Sequence, residues 1–189
     1  MTTGAPSPPR SREEIILRLF DLFRRAGYEG VSIGEISHAT GLGKSSLYHH
    51  FPGGKADMAA AVVAFAKAWM EARILAPLRA AIPLADRVDL MLAAISELYD
   101  GGAAPCLVAS MLLSRGRDPI DADVGALICD WIDALARALR HSGISPNEAV
   151  ERATSAIITI EGALIVARAA ERLDIFGDAI DRARRTLIA

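Results

Sequence analysis

Apolar residues recur along most of this chain at intervals of three and four positions, which is the spacing of one helix face. The first such stripe contains Ile15, Ile16, Leu19, Leu22 and Phe23, and Gly27 follows it as a helix stop. Apolar and polar residues do not alternate over any long run, as they would in half-buried strands. The pattern predicts an all-α protein of about nine helices, over residues 12–26, 33–40, 44–51, 55–80, 84–99, 106–115, 121–141, 146–171 and 175–188.

Three of the predicted helix starts share one capping signature, a serine followed three residues later by a glutamate. In such a capping box each of the two side chains accepts a hydrogen bond from a backbone N–H group that the first helical turn leaves unpaired. The signature predicts reciprocal caps at Ser11–Glu14, Ser32–Glu35 and Ser145–Glu148.

Composition limits the kind of protein this is. The sequence is 52% hydrophobic but has no uncharged apolar run of about 18 residues, so we expect no membrane span. It shows no secretion signal, and we expect a cytoplasmic protein. Residues 1–10, rich in proline, are expected to form a disordered tail. Cys106 and Cys129 fit no metal or redox spacing and are expected to be small buried apolar residues.

Charge is distributed unevenly between an N-terminal segment, the head (residues 1–55), and the rest of the chain, the body (residues 56–189). Residues 1–55 contain 7 Lys and Arg against 5 Asp and Glu, together with three of the four histidines. Residues 56–189 contain 14 basic and 18 acidic residues. We expect a head domain over residues 11–55 that contacts a polyanion and a helical body over residues 56–189.

The stretch LGKSSLYHHFPGGK, residues 42–55, concentrates hydrogen-bond donors on a very short helix. With the helix before it and the turn Thr40–Gly43 it forms a helix-turn-helix pattern. The second helix of this motif enters the major groove of DNA. Leu47 and Phe51 form its apolar underside, and it carries no acidic residue. Its candidate DNA contacts are Lys44, Ser45, Ser46, Tyr48, His49 and His50.

Other interpretations of this stretch are weaker. Adjacent histidines on a helix point about 100° apart, and no cysteine or carboxylate joins His49 and His50 at metal-ligand spacing. His50 has the alternative of a half-buried side chain that holds the next turn, and Tyr48 that of a partly structural role. The sequence PGGK lacks the full phosphate-loop pattern. We predict no metal, no cofactor and no catalytic residue.

The segment SIGEISHATGLGKSSLYHHFPGGKADM, residues 32–58, resembles the DNA-binding signature of the TetR family of transcriptional regulators. The turn FPGGK and the segments PCLVASMLL and IEGALIVAR are similar to the LmrA/YxaF-type subgroup. The resemblance implies an all-α homodimer whose first three helices bind an operator and whose variable C-terminal helices bind a small inducer.

Alignment with the family motif adds two candidate phosphate contacts, Ser32 and Lys55. It also shows one departure, because the family often has Ser or Thr where Gly43 stands. The recognition helix is therefore expected to lack a side-chain cap, and DNA binding is expected either to be weaker or to use the backbone N–H of Gly43.

The segment from Ala153 to Ala170 is apolar nearly all round, so we expect it to be buried on two sides, one of them against a second subunit. A central helix of a monomer is the alternative. Glu161 in this segment needs a partner, for which we expect Arg168 or an arginine of the second chain. The predicted dimer contacts are Ile157, Glu161, Leu164, Ile165 and Arg168.

Large apolar side chains between residues 56 and 141 are the candidates for an inducer site, although each also suits an ordinary core. Methionine and aromatic residues with few charges favour an apolar or aromatic compound. The candidates are Phe65, Trp69, Leu92, Leu107, Met111, Trp131 and Leu135.

Together these features predict a DNA-binding repressor released from a pseudo-palindromic operator by an apolar inducer. The alternatives are an activator or ligand sensor on the same fold, or a small-molecule carrier or enzyme whose basic head docks another protein.

Overall fold

The computed structural model describes residues 11–112 and 119–189, and every regular element in these ranges is helical. The predicted tail over residues 1–10 and the end of the predicted helix over 106–115 lie outside them. No helix of the described chain is both long enough and apolar enough to cross a membrane. The helices are α1 (Arg12–Ala26), α2 (Ile33–Thr40), α3 (Lys44–His50), α4 (Lys55–Met70), α5 (Ala76–Leu78), α6 (Leu84–Leu98), α7 (Leu107–Leu112), α8 (Pro119–His141), α9 (Pro146–Ala169) and α10 (Asp174–Ile188).

The predicted all-α fold is confirmed, with one local difference in the long fourth helix. The segment predicted as a single helix over residues 55–80 consists of α4, a π-helical turn over Glu71–Leu75, and the single turn α5. Pro77 stands in the first turn of α5, where proline is tolerated although it has no backbone N–H to donate. Elsewhere the helix ends agree with the sequence pattern to within about two residues, which is the usual uncertainty of helix ends.

The chain forms two compact units. The first extends to Lys67 and includes Leu107–Gly125, and the second contains Ala68–Cys106 and Ala126–Ala189. The helix α7 therefore belongs to the first unit, where the Ser110 hydroxyl donates to the Arg24 carbonyl at the end of α1, at 2.6 Å.

One apolar cluster holds the first unit together. Its buried members include four of the five predicted stripe residues of α1, the underside of α3 and residues of the first turns of α4, and Leu22 of the stripe is half-buried against it. Burying one valine, leucine, isoleucine, phenylalanine or methionine side chain stabilises a fold by roughly 1.5–3 kcal/mol. The cluster contains Ile15, Ile16, Leu19, Phe23, Val31, Ile36, Leu47, Phe51, Met58, Ala59, Val62, Val63, Leu107, Met111 and Val124.

The second unit is built on α9 and α10, which pack along their length through small side chains. The buried face of α9 is mostly alanine, and Ala179 and Ala183 of α10 are also buried. The carboxylate of Asp89 on α6 accepts two bonds from the Arg184 guanidinium of α10, at 2.6 and 2.9 Å. Gly102, in the turn after α6, lets Phe176 of α10 pack directly against the backbone. A Cβ at Gly102 would lie 2.6 Å from the Cβ of Phe176.

Of the three predicted capping boxes only the one at Ser32 is complete. Ser11 accepts from the N–H of Glu14 without the reciprocal bond, and Ser145 makes no side-chain cap. In both of these helices the carboxylate that would complete the box has another partner one turn further on. The carboxylate of Glu14 pairs with Arg18 at 2.5 Å, and that of Glu148 pairs with Arg152 at 2.6 Å.

These caps generate a prediction on stability. Ser32→Ala should lower the free energy of unfolding by about 1 kcal/mol, because the Glu35 N–H loses its acceptor and the Glu35 carboxylate loses the hydroxyl donor. Ser145→Ala is the matched control and should cost less than about 0.5 kcal/mol, as a surface change without a lost bond does. Urea unfolding of both variants in the absence of DNA measures the difference. Equal losses would contradict the structural distinction between the two serines.

Candidate DNA-binding surface

The turn between α2 and α3 is fixed by four hydrogen bonds. Gly41 adopts a left-handed conformation, with φ of 70°, and ends α2. The buried Thr40 hydroxyl donates to the Ile36 carbonyl at 2.7 Å, and the Leu42 N–H donates to that hydroxyl at 3.4 Å. The Ser37 hydroxyl donates to the Leu42 carbonyl at 2.6 Å. The Arg18 guanidinium of α1 donates to the Thr40 carbonyl at 2.9 Å. The turn therefore sets the direction in which α3 leaves it.

The helix α3 divides its side chains between core and solvent. Leu47 is fully buried, and Phe51, which follows the helix, is also buried. His50 is half-buried, with its ring 5.6 Å from the ring of His49 and 6.4 Å from that of Phe51. Its half-buried position agrees with the alternative role of holding the turn. The exposed residues of the helix are Lys44, Ser45, Ser46, Tyr48 and His49.

Gly43 stands at the N-cap of α3 and provides no side-chain hydrogen bond, as the sequence predicts. The conformation there is extended, and a Cβ added at Gly43 would meet no atom within 4 Å. The absence of a serine or threonine is therefore not forced by crowding within the chain.

The Pro-Gly-Gly turn after α3 positions the ring of Tyr48. Gly54 has a φ of 70°, and a Cβ added there would lie 3.3 Å from Cε1 of Tyr48. The preceding Gly53 N–H donates to the Asp57 carboxylate at 2.6 Å. Gly54 thus lies beside one edge of the Tyr48 ring, while the side chain stays 47% exposed. Tyr48 is accessible to a ligand, and its partly structural role stays a prediction.

Ser32 begins α2 with its hydrogen-bonding groups already in use. Its N–H and its hydroxyl each donate to the Glu35 carboxylate at 2.7 Å, and its oxygen accepts from the Glu35 N–H at 3.2 Å. These bonds, the backbone one first, lower the pKa of the Glu35 carboxyl, and the charge of Lys55 lowers it further. The Ser32 hydroxyl must therefore redirect its proton to reach a phosphate.

Two cations near this surface lie on aromatic rings. The guanidinium carbon of Arg12 lies 5.1 Å from the ring centroid of Phe51, and Nζ of Lys55 lies 4.6 Å from that of Tyr28. Sequence reasoning did not single out Arg12 or Tyr28. Both are distant in sequence from their partners, and ring contacts of this kind leave no periodic pattern.

The candidate inducer residues are divided between the two compact units. Phe65, Leu107 and Met111 pack in or against the apolar cluster of the first unit. Leu92, Trp131 and Leu135 are buried in the second unit, where the Trp131 indole N–H donates to Sδ of Met91 at 3.2 Å. Trp69 is half-buried.

The helix α9 has one buried and one exposed apolar face. Ile157 and Leu164 are buried within their own subunit, so neither offers much surface to a second chain. Ile165 is 65% exposed, and Arg168 is also exposed. Three exposed apolar residues of α9, Val150, Ile158 and Val166, were missed by the sequence analysis, which did not resolve which side of an all-apolar helix faces outward.

The prediction that Arg168 is the partner of Glu161 was wrong. The Tyr99 hydroxyl donates to the Glu161 carboxylate at 2.9 Å, and the Cys106 thiol is a second hydrogen-bond partner of that carboxylate. Arg168 lies two turns further along α9 at an exposed position. Burial raises the pKa of Glu161, while the bonds from Cys106 and Tyr99 partly offset that rise. Burial also raises the pKa of the Tyr99 hydroxyl.

Comparison with known proteins connects this geometry to a family. The sequence model "Bacterial regulatory proteins, tetR family" matches residues 15–62, which contain most of α1, all of α2 and α3, and the first half of α4. The model "Transcriptional regulator LmrA/YxaF-like, C-terminal domain" matches residues 86–181, more than half of the chain. This chain belongs to the TetR family. Its C-terminal part is of the LmrA/YxaF type, as the sequence predicted.

Individual TetR-family proteins are similar over most of their length. The HTH-type transcriptional regulator LmrA of Bacillus subtilis is 28% identical over 167 residues, which cover 85% of this chain and 88% of that protein. The regulator YxaF of the same organism is 26% identical over 82% of this chain and 84% of its own. A TetR transcriptional regulator from Legionella pneumophila shares the fold, with a TM-score of 0.81, 21% identity, and coverage of 96% of this chain and 99% of that one.

The buried Glu161 generates a prediction on pH. A raised folded-state pKa means that the folded protein holds the proton more tightly than the unfolded chain does. The free energy of unfolding should therefore fall as the pH rises from the ordinary glutamate pKa to the raised value, and level off above it. Glu161→Gln should remove this contribution, because the amide does not titrate.

Urea unfolding across pH 4 to 8 measures the effect, and Glu151→Gln, at an exposed position of the same helix, is the matched control. Superimposable pH profiles for wild type and Glu161→Gln would contradict the assignment.

Proposed function

We propose that this TetR-family regulator is a homodimeric repressor that leaves its operator when a small apolar or aromatic molecule binds its C-terminal part. Each subunit presents α3 to a major groove of a pseudo-palindromic site. The two half-sites are then spaced about 34–36 Å apart, or a multiple of one DNA turn. The proposed DNA contacts are Ser32, Lys44, Ser45, Ser46, Tyr48, His49, His50 and Lys55.

The division of α3 between core and solvent carries the DNA-binding part of the proposal. Leu47 fixes the helix to the apolar cluster of its unit, and the exposed side presents hydroxyls, imidazoles and an ammonium without a carboxylate. Phosphate and base edges are bound by such donors, and Lys44 adds the charge that attracts the DNA backbone. The family relation supports the same assignment.

The exposed face of α9 supports the dimer. Ile158, Gly162, Ile165 and Val166 recur at helical spacing, and each is exposed in the single chain. A Cβ added at Gly162 would meet nothing within 4 Å, so contacts inside the subunit do not explain the glycine. A glycine at such a position lets a second helix approach closely. We propose that this face, with Arg168 at its end, contacts a second copy.

Release by an inducer requires that the ligand binds two states unequally. Large apolar side chains suit an apolar compound, and each unit has its own candidate contacts for it. They are Phe65, Leu107 and Met111 in the first unit and Trp69, Leu92, Trp131 and Leu135 in the second. A ligand that favours a different spacing of the two α3 helices would then lower the affinity for the operator.

One experiment tests the whole proposal. The DNA upstream of the protein's own coding sequence is footprinted with and without a panel of aromatic compounds, and transcription from that DNA is measured. A protected palindrome, low transcription and release by one compound are expected. Higher transcription on binding would indicate an activator instead, and no protection of any upstream DNA would contradict the operator at that location.

Lys44 generates a prediction on salt dependence. Lys44→Ala should weaken binding to specific and mixed-sequence duplexes by similar factors, because a phosphate contact carries no sequence information. The log–log slope of affinity against salt should fall by about one for each Lys44 that meets a phosphate. Fluorescence anisotropy in a KCl series measures both. Lys67→Ala, an exposed lysine at the far end of α4, is the control for loss of charge alone. Equal slopes for wild type and Lys44→Ala would count against the contact.

The exposed face of α9 generates a prediction on assembly. Ile165→Lys should produce monomers, because an unpaired ammonium in an apolar interface loses its hydration. Leu17→Lys, which changes an apolar side chain 48% exposed on α1, is the control and should stay dimeric. Analytical ultracentrifugation distinguishes the states. A dimeric Ile165→Lys variant would place the interface elsewhere.

A further inference from the structure

Lys55 begins α4 with its ammonium over the face of Tyr28. The distance from Nζ to the ring centroid is 4.6 Å, within the roughly 6 Å range of a cation–π interaction. Lys55 as a whole is half-buried, which is common for lysines because the aliphatic stem packs more readily than the ammonium. The contact with Tyr28 restricts the charged end of the side chain.

The ring of Tyr28 is itself anchored to the core of the first unit. Helix α1 stops at Gly27, which has a φ of 71° and whose N–H donates to the Phe23 carbonyl at 2.8 Å. This stop turns the chain so that the Tyr28 ring lies 6.1 Å from the ring of Phe23. Phe23 is fully buried. The platform beneath the ammonium is therefore part of a packed structure.

The charge of Lys55 also reaches the start of α2. It contributes to lowering the pKa of Glu35, whose carboxylate is bonded to Ser32. Among the ion pairs of the described residues none joins Lys55 to Glu35, so the ammonium is near this carboxylate without being bonded to it. The two groups proposed to meet phosphate, Ser32 and Lys55, thus flank the same carboxylate.

A ring holds a lysine differently from a carboxylate. Lysine is among the side chains that lose the most rotamer freedom when they become ordered. A neutral ring restricts it without cancelling its charge, and the ammonium has three donors, which need not all face the ring. A lysine ordered in advance loses less freedom when a phosphate arrives.

We propose that Tyr28 is a positioning residue for DNA binding, which orders the Lys55 ammonium for its phosphate contact. The inference rests on the proposed function, in which Lys55 meets a phosphate. Tyr28 itself need not touch DNA. The part of Tyr28 that matters is the face of the ring, and its hydroxyl is not required.

A double-mutant cycle tests this with a fluorescein-labelled 30-base-pair duplex of mixed sequence, titrated in a KCl series. Tyr28→Leu should weaken binding by about two- to tenfold for each Lys55 that meets a phosphate, because that lysine is then ordered only when DNA binds. Tyr28→Phe keeps the ring and should bind like the wild type. In a Lys55→Met background, Tyr28→Leu should cause no further weakening, because its effect passes through the lysine.

The outcomes distinguish a failure of the proposed function from a failure of the proposed role of Tyr28. A wild-type protein that does not bind the duplex at any salt concentration would overturn the proposed function. If the wild type binds and Tyr28→Leu weakens it equally with and without Lys55, the role of Tyr28 is structural and the inference fails. Unchanged binding by Lys55→Met also overturns it. Tyr28→Met, which fills the space without a ring, replaces Tyr28→Leu if circular dichroism shows that the leucine variant is unfolded.

Discussion

Leu47 is the one fully buried side chain of α3, and the orientation of the whole recognition surface depends on its packing. The helix has only seven residues, too short to be stable without tertiary contacts. Leu47 belongs to the same apolar cluster as the buried stripe of α1 and the first turns of α4. Once that contact is fixed, helical geometry directs Lys44, Ser45, Tyr48 and His49 outward. The donors on the exposed side require no buried partners, because water satisfies them until a ligand replaces it.

Apolar periodicity was enough to predict the helices and the inward residues of the first unit. Ile15, Leu19, Phe23 and Ile36 are buried as expected, because helical spacing determines which side chains share a face. The same periodicity does not predict which polar group forms a hydrogen bond or ion pair with a given carboxylate. Glu14 and Glu148 each have an arginine four residues on, whereas Glu35 has Ala39 there, and only Glu35 completes its capping box. The competing arginine is visible in the sequence and distinguishes the three boxes.

The neighbours of helix α9 could not be predicted from the sequence pattern. A helix that is apolar all round has two candidate buried faces, and periodicity assigns neither to a particular neighbour. In the single chain Ile157 and Leu164 face inward while Ile158 and Ile165 are exposed. Glu161 depends on a tyrosine 62 residues away and on a thiol, contacts of long sequence separation that no local signal records. A neutral hydroxyl donor suits a carboxylate whose pKa burial has raised, because it satisfies either protonation state.

The positive charge of the DNA-binding unit is distributed more selectively than its composition indicates. Arg18 and Arg24 on α1 form ion pairs with Glu14 and Asp21, so their fields are largely cancelled close to the surface. Arg12 and Lys55 lie on aromatic rings, which restrict a cation without neutralising it. Among the ion pairs of the described residues none includes Arg12, Lys44 or Lys55, so the positive charge on this side of the unit is not bonded to a carboxylate there. Such an arrangement gives a local attraction for phosphate on a chain whose formal net charge is −2.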